Sequence, residues 1–169
     1  MTTIHQHDAD VRGWWGRVPP ELQLNLATLP TYPRVYLPKV LMINLAHYQC
    51  LCALHSSIVP LFSLGQDVPE QVMARQLSAQ HAYESACAIS SLLELVLRHS
   101  AEMSDFSSYI GYAAYCSYAV QIPFRWCLDD GVRATAEKNT AINLEVIKGI
   151  AENWKATEAL VSSSTIIGT

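Results

Sequence analysis

Between residues 70 and 100 the apolar positions Ala82, Ala86, Ile89, Leu93 and Val96 step by four, three, four and three, which places them on one seam of a helix. Glu94 and Arg98 stand four apart outside that seam, a supporting pair on a solvated face. The segment LPKVLMINLAHYQCLCALHSSIV, which ends at Pro60, predicts a second helix of about 20 residues, with Pro38 suited to its first position. A third helix, FSSYIGYAAYCSYAVQI, can be capped by Ser104 with Asp105, and Pro123 kinks or ends it. LDDG reads as a helix terminus with Gly131 just past it. After KNT a last helix follows, AINLEVIKGIAENWKATEALV, with Ile147, Ile150, Trp154 and Val161 on one face. Alternating strand patterns and fixed-period repeats do not occur. The pattern predicts an all-α fold, a bundle of about four to five main helices.

The ends are read differently. Residues 1–12 are expected to be a mobile terminus, residues 13–162 a helical domain, and residues 163–169 a flexible tail. Residues 13–38 carry five prolines, too many for a long helix, so extended chain with a short turn is expected there.

Composition sharpens this picture. The chain has 169 residues, enough for one domain with a real core. Half of the residues are hydrophobic and only 15% are charged, against about 25% in an average soluble domain. Large buried helices, or a surface completed by a partner, would account for that shortfall. A net charge of −4 supplies no broad basic field, which argues against nucleic-acid binding by this chain. Five cysteines at irregular spacing form no disulfide framework and suit reduced thiols in a nuclear or cytoplasmic setting. The N-terminus has neither the apolar core of a signal peptide nor the arginines of a transit peptide. No Lys, Arg, Asp or Glu occurs between Lys39 and Asp67, yet Asn44, His47, Gln49, His55 and Pro60 interrupt the run. Each polar group would be costly in lipid, so a helix buried in protein is expected rather than a membrane span.

Candidate chemistry is sparse. HYQCLCALH, residues 47–55, offers two histidines and two cysteines. On a helix Cys50 and Cys52 point about 160° apart, and His47 and His55 lie about 12 Å apart along the axis. Zinc ligands must meet at about 2 Å from one centre, so no metal is expected here, and small polarizable core residues are the better reading. His81 and Glu84 share a helix face, but carboxylate-bridged metal bundles use Glu-x-x-His on several helices, so a surface pair is expected. Tyr109, Tyr112, Tyr115 and Tyr118 recur every third residue and spiral round their helix, which with Phe106 and Cys116 makes that helix central. Tyr109, Tyr112, Tyr115, Cys116 and Trp126 are the candidate ligand-binding residues, beside the alternative of ordinary core packing. The sequence contains no Gly-rich phosphate loop, no G-x-S-x-G elbow and no Cys-x-x-Cys, and it implies no cofactor.

Several stretches in order resemble one family, the fungal zinc-cluster transcription factors. GWWGRVPPELQLN is similar to that family's segment of Trp followed by Leu-Pro-x-x-Leu, with Val18-Pro19-Pro20-Glu21-Leu22 at that place. LMINLAHYQCLCALHSSIVPLF resembles its helix ending Leu-Leu-His-Arg-Pro, with His55 at the histidine. YESACAISSLL, SSYIGYAAYCSYAV and LEVIKGIAENWKATEAL resemble its later helices, so the likeness spans about residues 13–162. Two departures stand out. His-Arg-Pro is replaced by His55-Ser56-Ser57, and the six-cysteine DNA-binding module is missing. The resemblance therefore implies the C-terminal part of the α-helical regulatory middle region, a nuclear, non-catalytic domain that controls activator function and is associated with metabolite sensing. Its partners would be a small hydrophobic metabolite, a second copy, or further segments of a longer chain. The alternative is a small helical enzyme or metabolite-binding protein of fungal secondary metabolism, with His47, His55 or His81 as acid or base in a His/Tyr-lined apolar pocket. Convergence of two or more titratable groups in one closed apolar pocket separates the two readings. A structural fragment stable only when paired is the third.

Overall fold

A computed structural model describes residues 2–24, 32–33, 35–57, 69–99 and 106–153. Among the described residues there are five α-helices: α1 (Thr2–Trp15), α2 (Leu37–Ser56), α3 (Pro69–His99), α4 (Ser108–Gln121) and α5 (Asp130–Asn153). Short 3-10 turns lie at Pro20–Leu22, between α1 and α2, and at Ile122–Trp126, between α4 and α5, and the described residues contain no strand. The all-α bundle expected from periodicity is therefore present.

α4 packs against α2, α3 and α5, and so occupies the middle of the bundle. Ala113, Ala114 and Gly111 give it a small-residue surface that lets its neighbours approach closely. The predicted seam of α3 is buried along its whole length, from Ala82 to Val96, and its members Ile89, Leu93 and Val96 share a core with Leu41 and Leu45 of α2, Ile110 of α4, and Val146, Ile147 and Ile150 of α5. Glu94 pairs with Arg98 as expected and also accepts from Lys138 Nζ of α5 at 2.8 Å, tying the two helices at their surface.

The caps depart from expectation. Ser107 caps α4, its Oγ accepting from the backbone N–H of Tyr109 at 3.2 Å. Ser104 and Asp105, along with Pro60, Trp154 and Val161, lie outside the described residues. LDDG begins a helix instead of ending one: Asp129 Oδ1 accepts from Val132 N at 2.9 Å, a cap at the start of α5. A Cβ at Gly131 would come within 3.2 Å of that Oδ1, so glycine leaves the cap oxygen room. KNT is no break, because Asn139 and Thr140 are buried polar members of the inner face of α5. Thr140 returns its hydroxyl to Ala136 O at 2.8 Å, as a helical threonine can.

The N-terminal segment from Thr2 onward belongs to a helix. It runs as far as Trp15, braced by Gln6–Asp10 and Asp8–Arg12 contacts at i,i+4. α1 lies on α2, presenting Ile4, Asp8, Val11 and Trp15 as its less exposed positions. That spacing of four, three and four is a seam in which one member is a carboxylate. The chain then turns at Pro20–Leu22, matching the short turn expected there. Asn44 anchors it: Oδ1 accepts from Leu24 N at 2.8 Å, and Nδ2 donates to Leu22 O at 2.7 Å and Val40 O at 2.8 Å. One fully buried amide thus fixes the entry segment onto α2.

Candidate functional site

Two concave features stand out, on different sides of the α2–α3 pair. The larger is an apolar cleft of about 300 Å³. Ala79 and Ala82 of α3 form its floor, Val120 of α4 one wall, and Pro123, Phe124 and Trp126 of the following 3-10 turn the other. Pro123 creates this wall: it cannot continue the ladder of α4, and the chain tightens into the 3-10 turn that swings Phe124 and Trp126 over α3. Tyr83 braces Phe124, ring centroids 4.4 Å apart, and its hydroxyl donates to Val132 O at 3.3 Å. Desolvation, with the adjacent Cys87 next in order, raises the Tyr83 phenol above its ordinary range, so it stays protonated. Polar lining is confined to Ser56 and Cys127. Trp126 is 65% exposed at the rim, and Arg125 lies over its ring at 5.8 Å.

The smaller feature is a chamber of about 60 Å³ between α1, α2 and α3, lined by Asp8, His55, Ser78 and His81 with Ile4 and Leu77 at its sides. His55 is the buried junction. Its Nε2 lies 3.0 Å from Asp8 Oδ1 and its Nδ1 3.3 Å from Ser78 Oγ. Burial alone would raise the Asp8 carboxyl, but hydrogen bonds and charge from Arg12 and His55 outweigh it and hold it below its usual range. An ionised carboxylate only accepts, so Nε2 carries a hydrogen, and in the neutral ring the Nδ1 lone pair faces the Ser78 hydroxyl. The His81 ring centroid is 5.0 Å from that of His55, and its Nδ1 is 3.6 Å from Glu84, the surface pair expected from their spacing.

The predicted residues therefore divide. His55 and His81 converge on one chamber. His47 is elsewhere, buried and stacked on Trp15 with ring centroids 4.2 Å apart and planes 8° from parallel. Its Nδ1 is buried without a hydrogen-bond partner. Desolvation, aided by the Arg12 charge, brings its pKa down to about 4. Of the proposed ligand residues, Trp126 lines the cleft, whereas Tyr109 and Cys116 stand against α2. Tyr109 packs on the core with its phenol pushed up to about 12 by burial and by Cys50 and Cys116, and Cys116 Sγ accepts from Gln49 Nε2 at 3.7 Å. Tyr115 packs against the core and Tyr112 is half exposed. Cys52 is buried, its thiol pushed up to about 12, and Cys50 is exposed on another side of α2. Among the described residues no group of three metal-ligating side chains gathers, and no helix is long and apolar enough to cross a membrane.

Asp8 and Ser78 were not read as site residues, although a signal existed for each. Ser78 continues the α3 seam four residues before Ala82, and Asp8 occupies the seam of α1; a polar residue in an apolar register marks a buried partner.

His47 carries a pH prediction. Its folded pKa lies below the value of about 6.5 of a free histidine. As pH falls below 6.5 the unfolded chain takes up a proton that the folded chain refuses, so stability declines between pH 6.5 and 4 and this contribution is spent below 4. Discounted for the solvent that reaches a site at the edge of the fold, the loss is about 1–2 kcal/mol, or roughly 2–8 °C in melting temperature. His47→Phe keeps the stack on Trp15 and removes the proton; melting curves across this range should show a shallower decline than the parent. Equal slopes would refute the assignment.

In comparisons with known proteins, no family model, no curated protein and no solved structure matches this chain. What the fold and the two sites define is an all-α bundle with an apolar cleft and a histidine-centred chamber.

Proposed function

We propose that this chain is a regulatory or interaction module that holds an apolar small molecule in the Trp126 cleft without transforming it. The cleft itself carries the reading: about 300 Å³ walled by Ala79, Ala82, Val120, Pro123 and Phe124 is at the lower end of small-molecule sites and is lined by groups that bind through shape and burial. A molecule there would touch the end of α2, the middle of α3 and the turn after α4 together, and would favour the conformation that apposes them. The resemblance to the middle region of zinc-cluster transcription factors supports the same assignment. Trp126 and Leu128, exposed at and beyond the rim, are where a second copy or a further segment would extend the contact.

The test is a melting screen with apolar probes such as indole, naphthol and decanoic acid, read also by Trp126 fluorescence against a Trp126→Phe control. A probe at 100 times its dissociation constant adds about 2.7 kcal/mol, or roughly 5–11 °C. Ala79→Phe, which fills the cleft from its floor, should keep the fold and abolish the shift. No shift with any probe, or one undiminished in Ala79→Phe, would sink the proposal.

A further inference from the structure

The Asp8–His55–Ser78 chamber is separate from the cleft, and its chemistry is of a different kind. We propose that Ser78 is a covalent acceptor for a small activated acyl group, its hydroxyl deprotonated by His55 and the imidazole held in register by Asp8. The arrangement has the three contacts that activate a serine: hydroxyl to imidazole at 3.3 Å, imidazole to carboxylate at 3.0 Å, and the carboxylate fixed by Arg12 at 2.8 Å. Each member comes from a different helix, with Asp8 on α1, His55 on α2 and Ser78 on α3, so tertiary packing alone assembles the set. The chamber beside Ser78 has room for about the volume of an acetyl group.

In the step itself, Ser78 Oγ attacks the carbonyl carbon of an aryl ester or thioester. Its proton passes to His55 Nδ1, the bond from carbon to the leaving oxygen or sulfur breaks, and the imidazolium returns the proton to that leaving group. An oxyester on Ser78 and a free phenol or thiol result. Asp8 does not meet the acyl group; it is a positioning residue, keeping hydrogen on Nε2 so that Nδ1 remains the base.

The chamber also limits how far the reaction goes. Ser78 is in the interior of α3, where backbone N–H groups are committed to the helix, so no pair of backbone donors faces a developing oxyanion. The imidazoles of His5 and His81 also line the chamber and would be the substitutes. Loss of one such donor from an enzyme costs about 100- to 1,000-fold in rate. The acyl group is therefore expected to remain on Ser78 instead of turning over, a modification and not a catalytic cycle. It would also remove the hydroxyl that His55 accepts from, loosening the junction that holds α1 to α3.

The experiment incubates the full chain, its cysteines first alkylated, with p-nitrophenyl acetate, and maps acylation by peptide mass spectrometry. Acetyl should appear at Ser78 about 100-fold faster in the parent than in His55→Gln. Asp8→Asn should fall by at least about tenfold and shift the pH profile of labelling, which a merely structural role would not do. p-Nitrophenyl octanoate should label Ser78 far more slowly than the acetate, because the chamber admits only a short acyl chain. If His55→Gln does not fold by circular dichroism, Asp8→Asn carries the comparison, since Asp8 is at the edge of the fold. Absence of acetyl at Ser78 while surface lysines react overturns the proposal. Equal rates in Asp8→Asn, or equal labelling by acetate and octanoate, overturn it as well.

Discussion

Gln121→Ala is expected to cost about 3–4 kcal/mol and to lower the melting temperature by roughly 10 °C. Gln121 is fully buried at the end of α4, inside a polar layer shared by α3, α4 and α5. Its Nε2 donates to Ser90 Oγ and Ser117 Oγ, both at 2.9 Å, and its Oε1 accepts from Asn139 Nδ2 at 2.8 Å. Ser90 donates onward to Asn143 Oδ1 at 3.1 Å, and Asn143 Nδ2 donates to Ser117 Oγ at 3.0 Å. Alanine would leave a cavity and strip Asn139 of its nearest acceptor in a region water does not reach, so two penalties add. Gln121→Met separates them: it refills the volume and restores about 1–2 kcal/mol, leaving as the remaining loss the Gln121 hydrogen bonds, after which Asn139 Nδ2 keeps only Cys87 Sγ at 3.5 Å. Urea unfolding with an unchanged slope measures both. A loss under about 1 kcal/mol for the alanine variant would mean the layer contributes little.

Asn44→Ala should be the second large effect, about 2–4 kcal/mol, and a local one. Its amide serves three backbone groups, and Leu24 N has its acceptor there. Removing it strands a buried N–H and frees residues 22–24 from α2. Hydrogen exchange should therefore quicken at Leu24 while the amides of α3 and α5 keep their protection. Asn44→Asp tests the donor side. The carboxylate still accepts from Leu24 but turns a negative oxygen toward the carbonyls of Leu22 and Val40, so it should destabilise at least as much as alanine. Uniform loss of protection across the bundle would show that the anchor is not local.

Both residues show why part of the site was not legible in advance. The α3 seam was readable because every member from Ala82 to Val96 is apolar and the period is helical. The seams of α1, α4 and α5 contain Asp8, Ser117, Gln121, Asn139 and Asn143 at inward positions, and a hydrophobic pattern reads each as a break. The hydrophobic pattern therefore predicts a mobile terminus where α1 lies and starts the last helix at Ala141, eleven residues after the first residue of α5. The candidate residues fared according to the same rule. His55 and His81 were singled out for their chemistry, but their partners Asp8 and Ser78 stand 47 and 23 residues from His55, a separation no local spacing encodes. The tyrosines every third residue did mark a central helix. Their spiral, however, distributes them around α4, and only Trp126, carried past the helix by Pro123, lines the cleft.

The sequence by itself determined the all-α class, the places of α2, α3 and α4 and the apolar face of α3, because these follow from 3.6-residue periodicity and from proline chemistry. It also dispersed the four soft ligands of HYQCLCALH, since angle and rise on one helix are fixed quantities. Tertiary structure alone decided which polar side chains are buried, because the cost of burying an amide or carboxylate depends on a partner another helix brings. It decided that His47 is a neutral stacked ring and His55 a hydrogen-bonded junction, although the two share a helix and a residue type. It also placed the cleft and the chamber, which exist only where separate helices leave space between them.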